Sequence, residues 1–130
     1  MPELPEVESI RIGLENIVTD RCILGVQVLH PRPVRQHPTG PDGFAQALVG
    51  RHFAVPKRRG KYLWFPFSDG DALVAHLGMS GQFRVHDPGD ELHRHTRVSL
   101  DLDDGRQLRF VDQRMFGGLV LSPEGAELPA

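Results

Sequence analysis

The sequence predicts a mainly β domain of antiparallel strands with two helices. Three observations carry this. Val7, Ile10, Leu14, Ile17 and Val18 recur at helical spacing. From Val26 onward the apolar period becomes two, most plainly where Val98, Leu100 and Leu102 alternate with Ser99 and Asp101. Asp103-Asp104-Gly105 then separates that run from Leu108 and Phe110, which is a hairpin signal because Asp-Gly tolerates the positive dihedrals of a tight turn. Pattern alone leaves a sandwich and a barrel equally open.

The first helix is predicted from about Pro5 to Val18, with Pro5 in its first turn and Thr19-Asp20 ending it. Val26 and Val28 start the strand region. Pro31 to Pro41 is a proline-rich loop, and Pro41 to Val49 a short second helix closed by Gly50. Tyr62 to Phe67 and Leu73-Val74-Ala75 read as strands, and Asp87 to His95 as a second loop. Ser122 to Ala130 has no clear period and reads as the start of a linker.

At 130 residues the chain is one domain, large enough to bury a core without staples. Its 39% hydrophobic and 25% charged residues are ordinary for a soluble globular protein. No apolar run approaches membrane-spanning length, and no basic-then-apolar leader opens the chain, so a cytoplasmic protein is expected. Cys22 is the only cysteine, which excludes an internal disulfide and a cysteine-rich zinc site. The net charge of −2 argues against a generic polyanion binder, yet Lys57-Arg58-Arg59-Gly60-Lys61 is a dense basic run suited to a phosphate backbone. As a bland alternative, that run is a solvated charged strand.

The opening Met1-Pro2-Glu3-Leu4-Pro5-Glu6-Val7-Glu8 is the most informative segment. If Met1 is removed, Pro2 becomes a free secondary amine, and a chain-terminal amine titrates at about 7.7–8.0, against about 10.4 for lysine. Part of it is therefore neutral and nucleophilic at physiological pH. Its attack on an aldehydic or acetal carbon gives a cationic iminium, an electron sink for elimination. Glu3 is near enough to move a proton at the same centre. The bland alternative is a helix start with favourable first-turn acids.

Met1 to Glu8 resembles the amino-terminal signature of the formamidopyrimidine-DNA glycosylase family, bacterial repair enzymes for oxidised purines. Arg58-Arg59-Gly60-Lys61-Tyr62-Leu63, His76-Leu77-Gly78-Met79-Ser80-Gly81 and Asp112-Gln113-Arg114-Met115-Phe116-Gly117 recur in that family in the same order. The resemblance covers essentially the whole chain. It implies a two-layered antiparallel β-sandwich flanked by the long N-terminal helix and the short second helix. Residues 1–121 would form the catalytic domain, and 122–130 the start of a linker to a helix–two-turn–helix and zinc-finger half absent from this sequence. No cofactor or metal is expected in this chain, and one structural zinc in that zinc finger.

The implied activity is that of a bifunctional glycosylase and abasic-site lyase of base excision repair. It removes 8-oxoguanine and formamidopyrimidines and cleaves the strand by β- and δ-elimination. The partner is damaged double-stranded DNA, and the protein a monomer. By the resemblance, Pro2 is the Schiff-base nucleophile, Glu3 the acid–base residue and Glu6 a supporting carboxylate, while Glu8 is read as a first-turn helix charge. Lys61 matches a lysine that donates a proton in elimination and touches phosphate, with Arg58 and Arg59 as backbone contacts. Met79, Arg114 and Phe116 match a triad that fills the space left by a flipped nucleotide, Arg114 reading the orphaned cytosine. His95 matches a backbone contact, and His76 adjoins the Met79 loop. Met115 departs from a second arginine common in the family, so no contact is assigned to it.

Two rival functions remain at this point. One is an endonuclease VIII-like enzyme for oxidised pyrimidines, which typically has glycine at the position of Leu4. The other is a non-catalytic DNA-binding module, expected if Met1 is retained and blocks the amine. The chain without its second half is expected to be weakly active or inactive.

Overall fold

The first helix, α1, spans Leu4–Val18 in the structure, a computed structural model that describes residues 3–125. Glu3 is its extended N-cap, and Pro5 lies in the first turn, where a missing N–H breaks no hydrogen bond. Val7, Leu14 and Val18 are buried, with Ile10 and Ile17 packed beside them, so the apolar stripe in the sequence is the buried face. The Thr19 hydroxyl donates to the Glu15 carbonyl at the helix end, and Asp20 turns the chain with φ 66°.

The strands are β1 (Ile23–Val28), β2 (Lys57–Arg59), β3 (Tyr62–Pro66), β4 (Ala72–His76), β5 (Gln82–His86), β6 (Thr96–Leu102), β7 (Gln107–Val111) and β8 (Gly118–Ser122). They form two four-stranded antiparallel sheets, ordered β1-β6-β7-β5 and β2-β3-β4-β8. The architecture is therefore a sandwich, which the pattern had left open against a barrel. Its core is where the inner faces meet. Leu63, Phe65, Leu73, Ala75 and Leu119 come from one sheet, and Ile23, Val98, Leu100, Leu108 and Phe110 from the other. Phe65 reaches Phe83 across the layers, with ring centroids 5.5 Å apart. The second helix, α2 (Gly40–Leu48), buries Phe44 and Leu48 against β1 and stops before Gly50, whose φ of 88° is a left-handed conformation that favours glycine.

Several elements differ from the sequence reading. β5 and β8 were not expected as strands, since Gln82–His86 lacks a strong apolar alternation, while β2 is the charged strand that the Lys57–Lys61 run offered as its alternative reading. Both β2 and β5 are edge strands, where charged residues are favoured. The proline-rich loop contains a short 3-10 helix, Arg32–Val34. Ser122, read as the first linker residue, pairs with Ala72 as the last residue of β8. The Asp103-Asp104-Gly105 hairpin is looser than a two-residue turn, because only Gly105 has positive φ, at 88°.

Candidate nucleic-acid interface

The basic run folds as a hairpin. Arg59 pairs with Tyr62 across a two-residue turn, and Gly60 supplies the positive φ of 57° that puts half-buried Lys61 at its tip. Arg58 turns away and donates from Nε to Glu8 Oε1 at 3.1 Å and from Nη1 to the Gly60 carbonyl at 3.1 Å. Glu8 also accepts from Arg11 at 2.8 and 2.7 Å. The Arg11 guanidinium, ahead of that of Arg58, holds the Glu8 carboxyl down at about 2 against the opposing effect of burial. Glu8 is thus more than a first-turn helix charge. It clips α1 to the hairpin that carries Lys61. Glu3 at the N-cap and Glu6 in the first turn of α1 are exposed, and among the described residues no hydrogen bond joins their side chains to Lys61. Pro2 lies outside the described residues.

Strand alternation places Arg59, Tyr62, Trp64, Val74, His76, Gly118 and Val120 on the outer face of the second sheet. Tyr62 and His76 lie with ring centroids 5.2 Å apart. A recess of about 690 Å³ at the Lys61 end shares Tyr62, Val74 and Val120 with one of about 200 Å³ lined also by Arg35, His76 and Phe116. One continuous surface therefore runs from Lys61 to Phe116.

Phe116 belongs to a ridge made by two neighbouring loops, 77–81 and 112–117. Met79 is 59% exposed and Phe116 46%, in a protein that buries most of its other aromatic rings. The Arg114 guanidinium carbon lies 5.6 Å from the Phe116 ring centroid, so the exposed pair forms one cation–π unit. This exposure places Met79 and Phe116 outside the core. Met115 is half-buried with φ 55°, and its carbonyl accepts from Arg32 Nε at 2.9 Å. Arg35 donates to the Gly117 carbonyl at 3.0 Å. Nothing in the sequence signals these two arginines, since each reaches more than eighty residues along the chain.

His95 lies behind the ridge, in a recess of about 310 Å³ shared with Met79, Ser80, Arg84 and His93. Its Nδ1 is 3.1 Å from Arg97 Nη2. Arginine only donates, so Nδ1 is the acceptor and the proton sits on Nε2, which is buried without a partner. Burial, followed by the charges of Arg94, Arg97 and His93, pushes the imidazole below its ordinary value. His95 is therefore set up as a neutral N–H donor. His93 and His95 rings are 5.4 Å apart, but among the described residues no group of three His, Cys, Asp or Glu side chains is placed to hold a metal.

The structure thus brings Met79, Arg114 and Phe116 into one ridge with His95 behind it, and it joins that ridge to the Lys61 hairpin along one sheet face. No helix among the described residues is long and apolar enough to cross a membrane.

Comparison with known proteins identifies the fold and the family. The chain is 60% identical to a formamidopyrimidine-DNA glycosylase of Nocardioides sp. over 99% of its length, and 54% identical to that of Salinispora arenicola, also over 99%. It spans 45% of each of those relatives. Among solved structures, a Lactococcus lactis Fpg complex with FAPY-dG-containing DNA superposes with TM-score 0.85 at 32% identity, covering 92% of this chain and 44% of that one. A complex of the same protein with an oxidised-pyrimidine-containing DNA superposes with TM-score 0.87 at 32% identity, covering 95% and 45%. Residues 1–119 match the profile described as the formamidopyrimidine-DNA glycosylase N-terminal domain, and the chain belongs to that family.

Proposed function

We propose that this chain is the catalytic half of a bifunctional DNA glycosylase and abasic-site lyase for oxidised purines, acting as a monomer on damaged double-stranded DNA in the bacterial cytoplasm. The observation that carries the reading is the ridge of Met79, Arg114 and Phe116. An exposed apolar wedge beside a planar five-donor fork suits a duplex from which one nucleotide has been turned out. The Lys61 hairpin on the same face suits the sugar-phosphate of that nucleotide.

In this reading the Pro2 amine attacks the anomeric carbon, the base leaves, and the sugar opens as an iminium. Loss of a proton from the adjacent carbon then expels the phosphate, which cleaves the strand. Glu3 carries protons at the sugar, Glu6 supports it, and Lys61 donates during elimination. Arg59 and His95 grip the backbone, while Arg58, engaged by Glu8, supports the hairpin. Removal of Met1 is a condition of the mechanism. A structural zinc belongs to the part of the relatives that this chain does not span, since Cys22 is the single thiol here.

A second reading, preference for oxidised pyrimidines, draws on the neighbour solved with an oxidised-pyrimidine DNA. Single-turnover cleavage by the full-length protein separates the two. The duplexes carry 8-oxoguanine, a formamidopyrimidine or an oxidised pyrimidine. Faster release of the purine lesions supports the proposal, and a consistent preference for the pyrimidine lesion overturns it.

A further inference from the structure

Asp112 is fully buried, yet among the described residues no lysine or arginine pairs with its carboxyl group. The group is instead surrounded by donors from the two ridge loops. Oδ1 accepts from the Ser80 hydroxyl at 2.6 Å and from the Met115 N–H at 3.1 Å, and Oδ2 accepts from the Gly117 N–H at 3.0 Å. Ser80 Oγ in turn accepts from the Arg114 N–H at 2.9 Å, so its proton is committed to Asp112 and its lone pair to the facing loop. The Asp112 main chain is fixed as well. Its N–H donates to the His95 carbonyl at 3.0 Å, and its own carbonyl accepts from Arg97 Nε at 3.0 Å.

The packing is equally close. A Cβ on Gly78 would lie 2.6 Å from Gly117 N and 2.7 Å from the Phe116 carbonyl carbon, so the loops touch backbone to backbone. Met115 is held in a left-handed conformation between Arg114 and Phe116. If its N–H bond to Asp112 is lost, the residue is free to relax toward extended backbone, which turns its two neighbours away from each other. Burying a carboxyl group with no counter-charge is costly for stability, and an apolar residue would fill the space at less cost. What the carboxyl group supplies is a fixed geometry for four residues at once.

We propose that Asp112, acting through the Ser80 hydroxyl, is a positioning residue that locks the Met79 loop and the Arg114–Phe116 loop into one unit, so that void filling and reading of the orphaned base occur together. This rests on the reading of Arg114 and its neighbours as duplex-inserting residues.

The test uses the full-length protein with Ser80→Ala, Ser80→Thr, Asp112→Asn and Arg114→Ala. The first readout is amide hydrogen exchange without DNA. Ser80→Ala and Asp112→Asn are expected to speed exchange in both loops together, by roughly tenfold where local opening governs it, and Ser80→Thr to restore it. The second is the ratio of kcat/KM for the lesion opposite cytosine and opposite adenine. Ser80→Ala is expected to compress that ratio by roughly threefold to tenfold toward the Arg114→Ala value, with Ser80→Thr again restoring it. A merely structural role lowers the melting temperature and leaves the ratio intact, and that result overturns the proposal. If Arg114→Ala compresses the ratio while Ser80→Ala leaves ratio and exchange unchanged, the lock is wrong and the reading of Arg114 stands. If Arg114→Ala itself keeps the ratio, that reading fails, and exchange decides the lock: loosening of one loop only, or of neither, overturns it. Should Asp112→Asn fail to fold, the Ser80 pair carries the test.

Discussion

Gly78→Ala is expected to destabilise the protein strongly, and Gly13→Ala to stabilise it. Gly78 has φ 59°, and a side chain in the left-handed region costs roughly 1–2 kcal/mol. The added Cβ would also lie 2.6 Å from Gly117 N and 2.7 Å from the Phe116 carbonyl carbon, and neither is a flexible side-chain end that could swing aside. Relief means moving the 112–117 loop and weakening the Gly117 N–H bond to buried Asp112, a loss of about 1–3 kcal/mol. The sum is about 2–5 kcal/mol, a fall in Tm of roughly 6–20 °C for a domain of this size. Gly13 is exposed inside α1, and its added Cβ would meet nothing within 4 Å. Alanine there should add about 0.5–1 kcal/mol through helix propensity alone. Thermal melts of the two variants beside the parent are the assay. A Gly78→Ala protein melting at the parent temperature would refute the argument that the loops meet backbone to backbone.

Acid unfolding tests the Glu8 clip. The Glu8 carboxyl falls from its ordinary 4.5 to about 2 in the folded state, so its contribution is fully present above pH about 4.5 and is lost as pH falls toward 2. Glu8→Gln should flatten stability against pH in that window and leave the neutral range parallel to the parent. Arg114→Ala should weaken the preference for cytosine opposite the lesion by roughly tenfold or more, since a good base contact is worth about 1–3 kcal/mol. Lys61→Ala should keep that ranking, slow turnover and lower the salt slope of DNA binding by about one unit; single-turnover cleavage at two salt concentrations separates the pair. The 130-residue chain should fold cooperatively without zinc, because its core already joins both sheets and both helices. Equimolar tight zinc binding by calorimetry would contradict this.

How much of this was legible in the sequence depended on distance along the chain. α1 could be read because five apolar residues repeat on one face, and β6–β7 because alternation and a turn coincide. β5 was hidden, and β2 legible only as a charged-strand alternative, because edge strands carry charge and bury little. At the site, Lys61, Met79, Arg114 and Phe116 stood out through short motifs. The groups that hold them in place did not. Glu8 meets Arg58 fifty residues away, Ser80 meets Asp112 thirty-two away, and Arg32 meets Met115 eighty-three away. Local pattern cannot report such pairs. The lowered titration of His95 likewise comes from its burial and the nearby Arg94, Arg97 and His93 in the fold, and its tautomer from Arg97 beside the ring.

The central claim is that the chain-terminal amine of Pro2 does the chemistry, and borohydride trapping tests it most directly. Full-length protein freed of Met1 would be mixed with an 8-oxoguanine or abasic duplex, reduced, and the cross-linked peptide identified by mass spectrometry. The account predicts a covalent adduct on Pro2, weakened by Pro2→Gly and abolished by any N-terminal extension. An adduct mapped to Lys61, or an extended protein that traps at the normal rate, would contradict it.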